Sequence, residues 1–311
     1  MKPIRTALLK ASQSRWLRER LPRYRFARRT VDRFMPGENA GDALAAAQRL
    51  EGNGLRTILS HLGENIADRA EAEAVTEHYL EVLEKIRERG LQSELSIKLT
   101  QLGFDLDPAF CLDNFLRIAA QVPRDKTLWI DMEQSPYADP ILDFARRARK
   151  TCPHVGACVQ AYLFRTERDI ESLIAEGAAV RLVKGAYSEP PEIAFAKKAD
   201  VDENYFRLAR MLLEGDARRA GVRAAIGTHD RKLIARICEW AGAQGMARGD
   251  LEFQMLYGIQ SAEQSRLARE GYRSGVFICY GSYWFPWFMR RLAERPANVL
   301  FLARNLLSRT Q

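Results

Sequence analysis

The chain has 311 residues, 47% of them apolar, which suits one large domain or two small ones with a substantial buried core. Five cysteines without CxxC or zinc-like spacing argue against a disulfide scaffold and read as reduced intracellular thiols. No apolar run approaches the roughly 20 residues that span a bilayer, and no secretory signal is visible.

The net charge of +8 sits at one end. Residues 1–33 carry eleven Lys/Arg against two acids, so the rest of the chain is close to neutral. Such an arm, read here as the front of a basic helical segment over 1–50, suits contact with anionic lipid or nucleic acid; a solvated helical face is the alternative. A nucleic-acid partner is disfavoured, because no aromatics interleave regularly with the arm's arginines and the neutral body offers no second basic surface.

From residue 51 the pattern becomes repetitive. Strands are expected at "RTILSHL" (56–62), "ELSIKLT" (94–100), "TLWIDME" (127–133), "GACVQAYL" (156–163), "AAVRLVKG" (178–185), "RAAIGTH" (223–229), "LEFQMLY" (251–257) and "SGVFICY" (274–280). Amphipathic helical stretches lie between them, 65–89 and 200–220 among them. Runs apolar on both faces suit a parallel sheet covered by helices. Eight such units predict an α/β fold, a distorted (β/α)8 TIM barrel over 51–311 with extra N-terminal helices; a doubly wound sheet is the structural alternative.

In a barrel the chemistry gathers at the C-terminal strand ends. Seven of the eight expected ends carry ionisable or amide groups: Lys98; Asp131 and Glu133; Gln160; Arg181 and Lys184; Thr228, His229 and Asp230; Gln254 and Tyr257; Tyr280. Asp131 and Glu133, two apart, share a strand face and suit either a metal pair or an inward ion pair with Arg181. Beyond the last strand, "SYWFPWFMRRLAERP" places Arg290 and Arg291 just after a stretch with five aromatic residues. Adjacent guanidiniums in apolar company need an anion or an acid. Cations outnumber acids in this set, so the pocket expects a carboxylate or phosphate. A dinucleotide fingerprint, a Walker loop, HExxH and GxSxG are all missing. A Schiff-base aldolase using Lys184 or Lys98 would fit the same barrel.

The motifs converge on a family. "SIKLTQLG", "WIDMEQS", "CVQAYLFRTERDI", "VRLVKGAYSEPPEIAF", "ADVDENY", "GTHD", "LEFQMLYGI" and "WFMRRLAERPAN" occur in consistent order over roughly residues 50–300 and together resemble proline dehydrogenase. The resemblance implies a distorted barrel holding FAD that oxidises L-proline to 1-pyrroline-5-carboxylate, the first step of proline catabolism to glutamate. It implies that Lys98, Arg290 and Arg291 clamp the substrate carboxylate and that Glu294 steadies Arg290. Glu64 is implied as a gating acid, Tyr280 and Leu256 as pocket walls, and Asp131 and Arg181 as the catalytic pair beside the flavin. Met132, Gln160, Lys184, Gly185, Ala186, Thr228 and His229 are implied as further flavin contacts; no metal is implied. Ser188 departs from the pattern, since bifunctional relatives carry an aromatic after "GAY".

The chain is too short for the aldehyde dehydrogenase module of those relatives. A monofunctional enzyme of the bacterial cytoplasm is therefore expected. It would pass electrons to a quinone at the inner face of the membrane and product to a separate pyrroline-5-carboxylate dehydrogenase.

Overall fold

The computed structural model describes residues 31–63, 66 and 68–294, with side chains described to Leu292. The arm over 1–30, Glu64 and the side chain of Glu294 therefore lie outside the described residues. Eight parallel strands close into a barrel in simple sequence order. They are β1 (Arg56–His61), β2 (Glu94–Ile97), β3 (Leu128–Ile130), β4 (Val155–Gln160), β5 (Ala179–Val183), β6 (Ala224–Gly227), β7 (Glu252–Leu256) and β8 (Arg273–Tyr280). β8 closes on β1 over six residue pairs, ending at His61 opposite Tyr280. All eight expected strands are present, and the doubly wound alternative is ruled out.

In chain order the helices are α1 (Ala40–Glu51), α2 (Arg69–Glu88), α3 (Pro108–Ala119), α4 (Ala138–Arg149), α5 (Thr166–Ala175), α6 (Lys198–Leu213), α7 (Gly215–Arg219), α8 (Arg231–Ala243), α9 (Ser261–Arg269) and α10 (Trp284–Glu294). Their starts follow local chemistry. Asp68 caps α2 by accepting from the Ala70 and Glu71 amides, and Asp107 caps α3, with Pro108 at its first position. The helical stretch expected over 200–220 is interrupted near Gly215, whose φ of 52° lies in the left-handed region.

Most of the core lies between strands and helices, as a β/α barrel requires. Outward strand residues such as Leu59, Leu95, Ile130, Leu182, Ile226 and Ile278 meet helix residues such as Tyr79, Phe115, Ile141, Tyr205 and Ile234. α1 contributes Ala43, Leu44, Ala46 and Ala47 to this same core. The barrel interior is smaller and mixed: Ile58, Trp129, Ala225 and Phe277 share it with charged side chains. α10 is held by a second cluster in which Trp284, Phe285, Trp287, Phe288, Met289 and Leu292 pack with Val31, Phe34 and Met35. This apolar anchor is what the aromatic run before Arg290 and Arg291 is for. Among the described residues, no helix is long and apolar enough to cross a membrane.

Candidate active site

The centre of the site is an ion pair inside the barrel. Arg181, the third residue of β5, is 3% exposed, and its Nη1 lies 2.9 Å from Asp131 Oδ1 at the end of β3. Ser96 on β2 bridges them: it accepts from Arg181 Nη1 at 2.8 Å and donates to Asp131 Oδ1 at 2.7 Å. The guanidinium lies 4.5 Å from the Trp129 ring and 5.0 Å from that of Phe277. Of the two readings of Asp131 and Glu133, the structure selects the ion pair. Asp131 turns to Arg181, while Glu133 accepts from the Thr100 amide and hydroxyl.

A second group of charges surrounds the end of β8. Lys98, which follows β2, is buried, and its amide donates to the Gln101 side chain. Gln101 in turn donates to the His61 carbonyl at 2.8 Å, which fixes this turn against β1. Arg290 lies 5.7 Å over the Tyr187 ring. Burial, and to a lesser degree Asp131, push the Cys279 thiol up to about 12, while Lys98, Arg291 and Arg290 pull it the other way. All three cations therefore bear electrostatically on one buried thiol, although they come from chain segments almost 200 residues apart.

Several of the remaining expected residues follow the C-terminal ends of the strands. Gln160 donates to the Glu133 carbonyl at 3.0 Å, and Met132 is buried beside it in sequence and in the core. Thr228 Oγ1 accepts from the Asp230 amide, and His229 Nε2 accepts from the Leu256 amide at 2.9 Å. That bond leaves Nδ1 to carry the proton of a neutral His229. Gly185 has φ 117°, and a Cβ there would sit 2.3 Å from the Tyr162 ring. Only glycine fits, because the Tyr162 ring packs directly against its backbone. Lys184 Nζ is bonded to Asp202 at 2.5 Å and Asp230 at 2.8 Å. Burial opposes the charge on Asp230, yet Lys184 and Lys198 outweigh it and hold its carboxyl well below the usual range.

Tyr280 stands apart from this set. Its side chain belongs to the core between strands and helices, and its hydroxyl meets His78 Nε2 of α2 at 2.9 Å. Strand alternation puts Phe277 and Cys279 on the inner face of β8 instead, where Phe277 packs with Leu256 against the α10 cluster. Four further residues were not singled out from the sequence: Ser96, Trp129, Phe277 and Tyr187. Tyr187 lies in the "GAY" motif and supplies an aromatic surface one residue before Ser188. The other three carried a signal only in their position, two residues from a neighbour on the same inner face.

Tyr280 also belongs to a histidine cluster between β1, β8 and α2. The His61 ring is 4.6 Å from that of His78 and 5.3 Å from that of Tyr280. Burial, then His78 and Lys98, push the His61 pKa down to about 4. The fold therefore prefers neutral His61, and its contribution to stability is complete above pH 6.5 and lost as pH falls from 6.5 towards 4. The loss is about 3 kcal/mol at most. Urea unfolding between pH 7 and 4.5 should show this slope in the wild type and a much flatter one in His61→Gln.

With this geometry in view, the comparisons decide the family. The family model for proline dehydrogenase matches residues 43–304. The chain belongs to the proline dehydrogenase family. It is 37% identical over 282 residues to proline dehydrogenase 2 of Bacillus subtilis (strain 168), covering 90% of this chain and 91% of that one. It is 36% identical over 283 residues to the proline dehydrogenase of Deinococcus radiodurans, covering 89% and 90%. Among solved structures, proline utilization A from Bdellovibrio bacteriovorus, inactivated by N-propargylglycine, superposes with a TM-score of 0.78 at 23% identity. That match spans 86% of this chain and 32% of the other, and it concerns the fold. Family membership makes the chain an oxidoreductase of proline catabolism.

Proposed function

We propose that the chain oxidises L-proline to 1-pyrroline-5-carboxylate with bound FAD, passes the electrons to a quinone, and leaves its product to a separate pyrroline-5-carboxylate dehydrogenase. One juxtaposition carries the reading: a three-cation cluster at the end of β8 beside a buried arginine with an unused donor. Arg181 Nη2 is buried and has no hydrogen-bond partner among the described residues, although Nη1 and Nε are engaged. A buried donor left over in this way fits an acceptor on a bound group.

FAD, when bound, supplies the acceptor for the hydride equivalent that no protein side chain can take. Met132, Gln160, Arg181, Lys184, Gly185, Ala186, Thr228 and His229 would hold it. Lys98, Arg290 and Arg291 would bind the proline carboxylate and so fix which face of the ring is presented. Arg181 would place positive charge where negative charge develops, with Asp131 and Ser96 keeping it in place. Leu256 and Phe277 provide apolar surface beside the ring and exclude water. A Schiff base at Lys184 is disfavoured, because its Nζ is already shared between Asp202 and Asp230.

The purified protein should be yellow, and its blue absorption band should bleach on anaerobic addition of L-proline. A colourless protein that takes up no added FAD, or one that traps a substrate on borohydride treatment, would overturn the proposal.

A further inference from the structure

A line of polar side chains runs up the inside of the barrel, and the proposed chemistry leaves most of it unexplained. It begins at the N-terminal ends of the strands, opposite the substrate end. Glu94 of β2 and Glu252 of β7 are 7% and 2% exposed. Both bind Arg223, just before β6: Nη2 is 3.1 Å from Glu94 Oε2, and Nε is 2.9 Å from Glu252 Oε2. Burial opposes the charge on Glu252, but Arg223 and Gln254 outweigh it and hold its carboxyl below the usual range. Trp129 Nε1 donates to Glu94 Oε2 at 2.9 Å.

Gln254 is the next step up. It is 3% exposed; its Nε2 donates to Glu252 Oε1 at 2.7 Å, and its Oε1 accepts from Arg181 Nε at 2.7 Å. A carboxylate offers only acceptors and a guanidinium only donors, so the amide can sit just one way round. An apolar side chain would strand both neighbours, and a carboxylate would face Glu252 with like charge. Gly275 makes the room, since a Cβ there would lie 3.1 Å from Gln254 Cγ.

The outcome is a guanidinium fixed in every direction. Its plane is bounded by Trp129 and Phe277, its Nη1 points at Ser96 and Asp131, and its Nε points at Gln254. Nη2 alone is left over. We infer that Gln254 is a positioning residue that aims Arg181 Nη2 at the flavin, with the Glu94–Arg223–Glu252 cluster as its fixed footing. The inference rests on the flavin reading above. It also explains why the partner at Nε is neutral: among the described residues Asp131 is then the one carboxylate bonded to Arg181, and more of its positive charge is left for the reduced cofactor.

The test is Gln254→Leu in the FAD-loaded enzyme. Its preference for reduced over oxidised flavin should fall about tenfold, which is about 30 mV in the two-electron midpoint potential. The limiting rate of flavin bleaching by proline should fall by about tenfold or more, while proline KM moves less than about threefold. A purely structural residue would lower the melting temperature and leave the potential alone. Where Gln254→Leu does not fold, Gln254→Asn carries the test, because an amide one methylene shorter cannot reach both neighbours and should shift the potential the same way. A folded, flavin-loaded variant with wild-type potential and bleaching rate would overturn this inference alone. A wild-type protein that takes up no FAD would overturn it together with the flavin reading.

Discussion

Replacing Arg291 by methionine is expected to raise KM for proline by about two orders of magnitude or more, with a much smaller fall in kcat. Arg290→Met should act in the same direction. The packing of α10 is the reason. Its aromatic and apolar residues are buried in a cluster with Val31, Phe34 and Met35, so the helix presents its two arginines from a fixed base. Arg290 is further held over Tyr187, and with Lys98 all three cations act on the buried Cys279. A charge-assisted pair in such surroundings is worth roughly 2–5 kcal/mol, and each 1.4 kcal/mol is a factor of ten. The carboxylate stays bound through the reaction, so the loss falls on binding of substrate and transition state alike and is read in KM. Methionine retains the volume and apolar stem of arginine, so the melting temperature should change little. Steady-state kinetics on both variants settles it: an unaltered KM in each would remove the clamp.

The barrel was legible because eight apolar runs alternate with helical patterns, and some of those runs read as covered on both faces, by helices outside and a packed interior within. β5 and β8 are the clearest cases. The ion pair was legible for a related reason. Asp131 and Arg181 both stand at strand positions where a charge has no solvent and must find a partner. What escaped is the phase of β8. Tyr280 ends the strand, and an aromatic hydroxyl there invites a place in the pocket. Yet the alternation that turns Phe277 and Cys279 inward turns Tyr280 outward to His78. That histidine is 202 residues away in sequence, and no local pattern announces it. Gln254 illustrates the same limit. Its place at a strand end was readable, but its meaning depends on Glu252 below and Arg181 opposite, and only the closed barrel brings those together. Tyr187 was in plain view within "VRLVKGAY" and lacked only the arginine that lies over it.

Arg181→Met should have the largest effect on chemistry itself: the limiting rate of flavin bleaching by proline should fall by about two to three orders of magnitude, with proline affinity changed much less. Removing a single preorganised charge or donor from a dry site costs about 2.7–4 kcal/mol in the transition state. Arg181 is such a group, because its neighbours fix it before any substrate arrives. Stability will fall as well, since Asp131 is left without its cation, and breaking one side of a buried pair costs roughly 3–5 kcal/mol. The two losses separate in Arg181→Met combined with Asp131→Asn. That double variant has no stranded charge and should recover much of the melting temperature, but it has no positive charge to offer and should stay slow. Stopped-flow bleaching read beside thermal unfolding distinguishes the cases. A double variant that regained speed along with stability would show that Arg181 serves the fold alone. A single variant with weakened proline binding and a normal bleaching rate would move it from the cofactor side of the site to the substrate side.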